Sequence, residues 1–173
     1  MENILFNNIV HIDKDVNAHE FFYDALQEVT HTTNYWTFTE AKDALYTLIS
    51  KKITPDIIFL NLNFPKMSGQ EFLARLKKFQ HLSNVPVIIF SNATNRSTMQ
   101  VTRILGAKGF ITKSCGQHEF IKILSSILSL EFVMSANLNF SSFYNFAQRH
   151  DLESSISENV FWNEVVEYGF NVN

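Results

Sequence analysis

The chain has 173 residues, of which 46% are hydrophobic and 18% charged, so it fits one domain with an appendage and is unlike a disordered chain. Its net charge of −3 argues against a nucleic-acid-binding protein, since many of these are basic. Its single cysteine excludes an intramolecular disulfide and a multi-cysteine zinc site. The longest apolar runs are too short to span a bilayer, and the start lacks the positive region of a secretory signal. We therefore expect a cytoplasmic protein that contacts neither membrane nor nucleic acid.

Charge and aromatic content both change near residue 130. Residues 1–130 carry 13 Lys/Arg against 11 Asp/Glu, whereas residues 131–173 carry one against six and hold nine of the 24 aromatic residues. We predict a domain over 1–130 and an acidic, aromatic-rich extension over 131–173. Ser155 and Glu158 match a capping box, so we expect the extension to be helical, with its rings packed on the first domain or on a second subunit.

Apolar runs typical of strands alternate with amphipathic patterns typical of helices along the first 130 residues. In chain order, we predict a strand at 8–12, a helix at 15–30, a strand at 35–38, a helix at 41–48, a strand at 57–60, a helix at 68–79, a strand at 87–90, a helix at 97–105, a strand at 108–111 and a helix at 120–128. Gly106 is expected to end the fourth helix in a left-handed conformation. Short connections between strands and helices predict an open, doubly wound parallel sheet.

Polar residues follow four of the predicted strands. In such sheets the functional crevice lies beyond the carboxyl ends of the strands, so these residues are the candidates for a site. They are Asp13, Lys14 and Asp15 after the first strand, Asn61 and Asn63 after the third, Ser91 after the fourth and Lys113 after the fifth.

The order and spacing of these residues resemble the receiver domain of two-component response regulators, a flavodoxin-like (CheY-like) fold with sheet order 2-1-3-4-5. The segment 61–69, Asn-Leu-Asn-Phe-Pro-Lys-Met-Ser-Gly, is similar to that family's loop after the phosphorylated aspartate. The resemblance implies that Asp13 is the first of two paired acids, Asn61 replaces the phosphoacceptor aspartate, Ser91 is the phosphoryl-contacting hydroxyl, Phe110 is the switch-position aromatic residue and Lys113 is the family's lysine.

Two of these positions depart from the family's pattern. An amide at Asn61 is a poor nucleophile toward phosphorus, where the family needs a carboxylate. Lys14 occupies the second acid position, and Mg²⁺ is held mainly by carboxylate oxygens. We therefore expect a degenerate pocket whose remaining metal-ligand candidates are Asp13 and Asn63, with weak or absent Mg²⁺ binding and no other cofactor; Asp15 supplies at most one substitute oxygen.

The role of Lys14 stays open between two interpretations. In one, its ammonium replaces the metal and pairs with Asp13 while Lys113 approaches the amide oxygen of Asn61; in the other, Lys14 extends into solvent. Ser114 stands where the family usually has proline, so we expect a trans bond before it. Phe110 is expected to be packed in one fixed position.

Other catalytic constellations are weaker. The six histidines show no metal-ligand spacing and are interpreted as surface or packing residues, and Cys115 with His118 lacks an orienting partner. The hypothesis is a pseudo-receiver that acts in two-component signalling through contact with a histidine kinase, an output protein or a second copy, and not as an enzyme. The alternatives are a receiver that retains phosphotransfer and, less favoured because the extension is acidic, a transcription regulator.

Overall fold

The computed structural model describes residues 6–93 and 95–129, so the predictions for residues 130–173 lie outside the described residues. The strands are β1 (Asn8–Ile12), β2 (Asn34–Phe38), β3 (Ile57–Leu60), β4 (Val87–Ser91) and β5 (Gly109–Thr112). The helices are α1 (Val16–Val29), α2 (Ala41–Ile49), α3 (Gly69–Leu76), α4 (Gln80–Ser83), α5 (Arg96–Ile104) and α6 (Gln117–Leu128).

All five strands are parallel and lie in the order β2-β1-β3-β4-β5, which confirms the predicted fold. Every residue of β3, β4 and β5 is buried, as the continuous apolar runs indicate. By contrast, β2 forms an edge of the sheet and is largely exposed. Helices cover both faces, because each parallel crossover must pass over one side of the sheet.

Short polar side chains start three of the helices. Asp15, Ser68 and Asn95 accept a hydrogen bond from the backbone N–H two or three residues later at the first turn of α1, α3 and α5. These bonds satisfy amide groups that have no partner inside the helix. Because Asp15 and Ser68 directly follow the loops after β1 and β3, the caps also set where the polar residues at the strand ends point.

The third helix is shorter than predicted. The single helix expected over 68–79 is wrong in its length: α3 ends at Leu76 and the separate turn α4 follows. The ammonium of Lys77 donates to the carbonyl oxygens of Ser83 and Val85 at 2.9 and 2.7 Å, so the chain folds back around this side chain. The end of α5 agrees with the prediction, since Gly106 has a φ of +98°.

The core is divided by the sheet into two layers. On one face α2 and α3 pack against the sheet, and on the other α1 and α6 do so. The α1–α6 layer is built largely from rings, with Phe22 at the centre of contacts to Phe59, Phe90 and Phe120 at centroid distances of 4.7, 6.1 and 5.3 Å. This ring cluster lies directly beneath the carboxyl ends of β1 and β4.

Candidate functional site

The strand register brings the predicted site residues together. Ile12 of β1 is paired with Leu60 of β3, so the next residue of each strand, Asp13 and Asn61, are neighbours. The Asn61 N–H donates to the carbonyl oxygen of Ile12 at 2.9 Å, which extends the ladder by one bond. On the other side, Ser91 is paired with Thr112, which places Lys113 next to the end of β4.

Asp13 is the centre of the site and is completely buried. One carboxylate oxygen, Oδ1, accepts from the amide nitrogen of Asn61 at 2.9 Å and from the backbone N–H of Asp15 at 3.0 Å. The other, Oδ2, forms an ion pair with the ammonium of Lys113. A buried carboxylate is stable only when it is paired and hydrogen-bonded, and these contacts meet both conditions.

The pairing differs from one of the two interpretations of Lys14. Lys113, and not Lys14, forms the ion pair with Asp13, and the amide oxygen of Asn61 accepts from the backbone N–H of Leu62. Lys14 is exposed at the mouth of the cleft. The interpretation in which Lys14 pairs with Asp13 is therefore wrong, because Lys113 reaches the buried oxygen from β5 while Lys14 points to solvent.

Asn61 is held in one orientation by both ends of its amide. Its nitrogen donates to Asp13, and its side-chain oxygen accepts from the backbone N–H groups of Leu62 and Asn63 at 2.7 and 3.3 Å. A carboxylate has no N–H to donate, so this arrangement is specific to an amide. The amide bridges a buried anion to the loop that follows β3.

The loop returns to Asn61 at Gly69. A Cβ added to Gly69 would lie 2.3 Å from the backbone oxygen of Asn61 and 2.7 Å from the Cα of Leu62. Ser68 then caps α3 through the N–H of Glu71. The glycine is required by this close approach of two backbone segments.

Two buried histidines, His11 and His19, contact Asp13 and belong to the site, although the sequence alone did not indicate them as site residues. His11 is fully buried, with Nε2 3.8 Å from Oδ2 of Asp13 and Nδ1 2.7 Å from the hydroxyl of Tyr35. His19 on α1 lies 2.7 Å from the backbone oxygen of Asp13 through Nε2. The rings of His11 and His19 meet edge to face at 4.6 Å. The available signal was the position of His11 in β1, two residues before Asp13 and therefore on the same face of the strand.

The charge of Asp13 favours one tautomer of His11. The Tyr35 hydroxyl lies 2.7 Å from Nδ1 of His11 and 3.4 Å from the backbone oxygen of His19, and it can donate its one proton to either. When it donates to Nδ1, the proton of the neutral ring is on Nε2 and faces the Asp13 carboxylate, which is favourable. The reverse tautomer would place a lone pair against that carboxylate. At 3.8 Å the contact between His11 and Asp13 is electrostatic and too long for a hydrogen bond.

The surroundings shift the pKa values of these two groups in the same direction. Burial, followed by the charges of neighbouring His19 and Lys113, lowers the pKa of His11 to about 4, against the opposing effect of Asp13. For Asp13 burial alone would raise the pKa, but His11, Lys113, the Asp15 N–H and the Asn61 amide outweigh it and hold the pKa well below its usual range. At neutral pH the site therefore contains an anionic Asp13 and a neutral His11.

Above Asp13 the strand ends form an open cleft of about 500 Å³. Its polar lining comprises Lys14, Asp15, Asn61, Asn63, Gln70, Ser91, Asn92, Thr98 and Lys113. The Ser91 hydroxyl accepts from the backbone N–H of Ala93 at 3.3 Å, and Lys113 lies 5.5 Å above the ring of Phe90. The cleft thus brings together the predicted polar residues at the ends of β1, β3, β4 and β5, except Asp13, which is buried beneath it.

The donor set does not fit a hard divalent cation. Both Asp13 oxygens and the side-chain oxygen of Asn61 are already used, and two ammonium groups, Lys14 and Lys113, line the same cleft. Mg²⁺ requires several oxygen ligands, most of them anionic or water. In residues 6–93 and 95–129 no group of three His, Cys, Asp or Glu side chains is arranged to hold a metal.

The structure agrees with the packing predicted for Phe110 and with the trans bond predicted before Ser114. Phe110 on β5 is buried, with 1% of its surface exposed, and belongs to the α2–α3 layer of the core. The peptide bonds of the described part of the chain are all trans, including the bond before Ser114. The Ser114 hydroxyl donates to that of Thr112 at 3.2 Å, so this segment has its own local hydrogen bond.

Comparison with known proteins identifies one family over most of the chain. The model of the response regulator receiver domain matches residues 9–125. Response regulator Rcp1 of Synechocystis is 31% identical over 75 residues, which are 43% of this chain and 51% of that protein. A protein-glutamate methylesterase/protein-glutamine glutaminase of Methanococcoides burtonii is 32% identical over 82 residues, which are 46% of this chain and 22% of that protein. The chain thus spans between about a fifth and a half of these relatives.

The solved structures include close matches to the fold. The phosphorylated cyanobacterial phytochrome response regulator RcpA is 25% identical and superposes with a TM-score of 0.64, covering 70% of this chain and 90% of that one. The described part of the chain contains no helix with the length and hydrophobicity needed to cross a bilayer.

Proposed function

The chain belongs to the response regulator receiver family, and from that premise we propose that it is a pseudo-receiver, which takes part in two-component signalling by protein contact and accepts no phosphoryl group. One observation carries the proposal: the amide of Asn61 donates to Asp13 at 2.9 Å and uses its oxygen for two backbone N–H groups. The resemblance places the acceptor carboxylate at this position. Here the position supplies neither a carboxylate nor an unoccupied oxygen.

The ion pair beneath the amide supports the same proposal. The ammonium of Lys113 compensates the charge of the buried Asp13 carboxylate, while the lysine side chain also lines the cleft. In this state the charges of the site compensate each other. The proposed activity of the domain is binding to a partner. Its partners in this proposal are a histidine kinase, an output protein or a second copy.

The alternative is a receiver that still takes part in phosphotransfer. It is favoured by the presence of Ser91 and Lys113 at the cleft and by the similarity to RcpA, which is phosphorylated in its solved structure. The alternative needs another acceptor in the cleft, and the carboxylate that lines it is Asp15, which caps α1. A role as a transcription regulator is the remaining alternative, and it is less favoured because residues 131–173 carry six acids against one basic residue.

Labelling with a small phosphodonor tests the proposal. The full chain, incubated with acetyl phosphate and Mg²⁺, is expected to gain no phosphoryl group in its intact mass. An acid-labile label on the parent chain would falsify the pseudo-receiver. Peptide mass must confirm that residue 61 is still asparagine, because deamidation would create the missing carboxylate.

A pair of variants provides the matched control. Asn61→Asp alone is expected to restore little labelling, because Lys14 still lines the cleft at a cost of roughly 1–4 kcal/mol per unit charge to a bound cation. Asn61→Asp with Lys14→Asp is expected to restore more than the sum of the two single variants, since both positions border one site. Mg²⁺ affinity, measured by calorimetry, separates the two effects. Equal Mg²⁺ affinity in the single Asn61→Asp variant and the double variant would contradict the role given to Lys14.

A further inference from the structure

Acidic and basic residues are strongly segregated along this chain. Between Glu71 and Glu119 lie 47 residues without an acid and with seven basic residues: Arg75, Lys77, Lys78, Arg96, Arg103, Lys108 and Lys113. This segment contains α4, β4, α5 and β5, and thus the two strands at one edge of the sheet. A surface of one sign attracts ligands or chain segments of the opposite sign.

Part of this charge is concentrated where β4 and β5 begin. The Lys108 N–H donates to the carbonyl oxygen of Val87 at 2.8 Å, and Lys77 donates to that of Val85 at 2.7 Å. The two lysines are near enough that, after burial, the charge of Lys108 contributes to lowering the pKa of Lys77 to about 8. Two cations held this close favour an anionic neighbour.

Next to these lysines, α5 exposes apolar side chains. Only Thr102 of this helix is buried, whereas Ile104 is 78% and Val101 39% exposed. Ile104 is the most exposed large hydrophobic residue of the described chain. We call Val101, Arg103, Ile104 and Lys108 the α5 surface. It combines positive charge with exposed apolar area, so a matching ligand is acidic and carries large apolar side chains.

Residues 130–173 have that composition. They contain six acids, one basic residue and nine aromatic residues. They follow α6, whose last residue Leu128 lies at the edge of the sheet where the strands begin, because each crossover helix runs antiparallel to the strands. The C-terminal end of α5 lies at the same edge. Ten extended residues span about 33 Å, so the segment reaches the α5 surface easily.

We propose that residues 130–173 bind the α5 surface of their own chain, with the acids next to Arg103 and Lys108 and aromatic rings on Val101 and Ile104. The covalent link favours this occupant over a second copy or a separate acidic protein, since linkage within one chain gives an effective concentration in about the millimolar range. The inference does not depend on the pseudo-receiver proposal. It makes the α5 surface a covered surface, which a partner of similar composition must compete for.

Tryptophan fluorescence of the full chain tests this binding. The chain has two tryptophans, Trp36 on the edge strand and Trp162 in the segment, so Trp36→Phe leaves Trp162 as the only reporter. Trp36 is 43% exposed, and this substitution should leave the fold intact. Quenching by neutral acrylamide then measures how accessible Trp162 is, without bias from the charges.

Two variants in this background remove the two components of the α5 surface. Arg103→Glu with Lys108→Glu reverses its charge, and Ile104→Ser removes its most exposed apolar side chain. Each has a matched control outside the surface: Lys42→Glu with Lys52→Glu reverses two exposed lysines elsewhere, and Tyr46→Ser removes a side chain that is 67% exposed. Far-UV circular dichroism verifies that all variants fold.

The proposal expects the acrylamide quenching constant of Trp162 to rise at least about twofold in each α5 variant and to stay unchanged in the controls. Raising the salt concentration from about 50 to about 500 mM should raise the quenching constant of Trp162 in the parent, because salt screens the attraction between exposed charges. The same change should have little effect on the quenching constant of the charge-reversed variant. Unchanged quenching in both α5 variants overturns the proposal. Quenching that falls with increasing protein concentration also overturns it, since the segment then binds a second copy.

Discussion

Asp13 receives contacts from four parts of the chain: α1 through Asp15, β3 through Asn61, β5 through Lys113 and β1 itself through His11. Each contact replaces hydration that the buried carboxylate loses. Removing one partner of a buried ion pair typically costs about 3–5 kcal/mol, because the remaining charge is left without compensation. The residues around Asp13 therefore also contribute to the stability of the fold. The stability of each variant at this site must be measured together with its phosphorylation or binding.

His11 makes stability depend on pH. Its pKa is about 4 in the folded chain and 6.5 when unfolded, so between these values the unfolded chain binds more protons and stability falls as the pH falls. From pH 7 to pH 5 we expect the parent to lose about 2 kcal/mol from this group. His11→Gln keeps a polar side chain without the titration and should lose correspondingly less. Urea unfolding at the two pH values measures the difference.

Asp13 contributes in a separate, lower range. Because its pKa is depressed, its contribution is present above the unfolded value of 3.8 and is lost only as the pH falls below that value. Measurements at pH 7 and pH 5 thus report His11 with little contribution from Asp13. If His11→Gln and the parent lose equal stability between pH 7 and pH 5, the environment assigned to His11 is wrong.

At the scale of elements, the loop from β3 to α3 is held by backbone geometry. We expect Gly69→Ala to destabilise the fold by about 1–3 kcal/mol, since its Cβ would lie 2.3 Å from the Asn61 oxygen. Gly116 at the start of α6 has open space around its Cα, so Gly116→Ser is the matched control and should change stability by less than about 0.5 kcal/mol. Thermal unfolding gives the comparison. Equal melting temperatures for the two variants would contradict the close approach.

The elements also show what the sequence could predict. The bounds of β1 and β3 were predicted without error, because apolar runs between polar residues mark strands of a buried parallel sheet. The end of α3 was not predicted correctly, because the hydrogen bonds from Lys77 to Ser83 and Val85 depend on the folded path of the chain. Periodicity reports which face of a helix is buried, but it does not report a side chain that ends the helix by binding carbonyl groups beyond it.

The site, like the elements, was predicted from the sequence only in part. The strand ends and the order of the sheet place Asp13, Asn61, Ser91 and Lys113 at one edge, and the sequence analysis predicted that grouping. The choice between Lys14 and Lys113 as partner of Asp13 depends on which ammonium reaches a buried oxygen, and no spacing encodes that. The contact of His11 with Tyr35 joins residues 24 positions apart on neighbouring strands, so it becomes visible only in the structure.

At the scale of the whole molecule, charge is distributed in two blocks of opposite sign along the sequence. Residues 1–129 have 13 Lys/Arg and 11 Asp/Glu, and the remaining residues reverse the sign of the net charge. We expect a chain that ends at Ser129 to be retained on heparin at low salt and to elute later than the full chain, because its basic side is then uncovered. Elution of both forms at the same salt concentration would contradict this distribution of charge.

The close approach of Gly69 to Asn61 has a consequence for classifying members of this family. The atom that excludes a Cβ at residue 69 is the backbone oxygen of residue 61, which is present whether that residue is asparagine or aspartate. The requirement for glycine at residue 69 therefore comes from the backbone path of the loop and does not depend on which side chain residue 61 carries. The presence of this glycine therefore does not distinguish a loop that follows an asparagine from one that follows an aspartate.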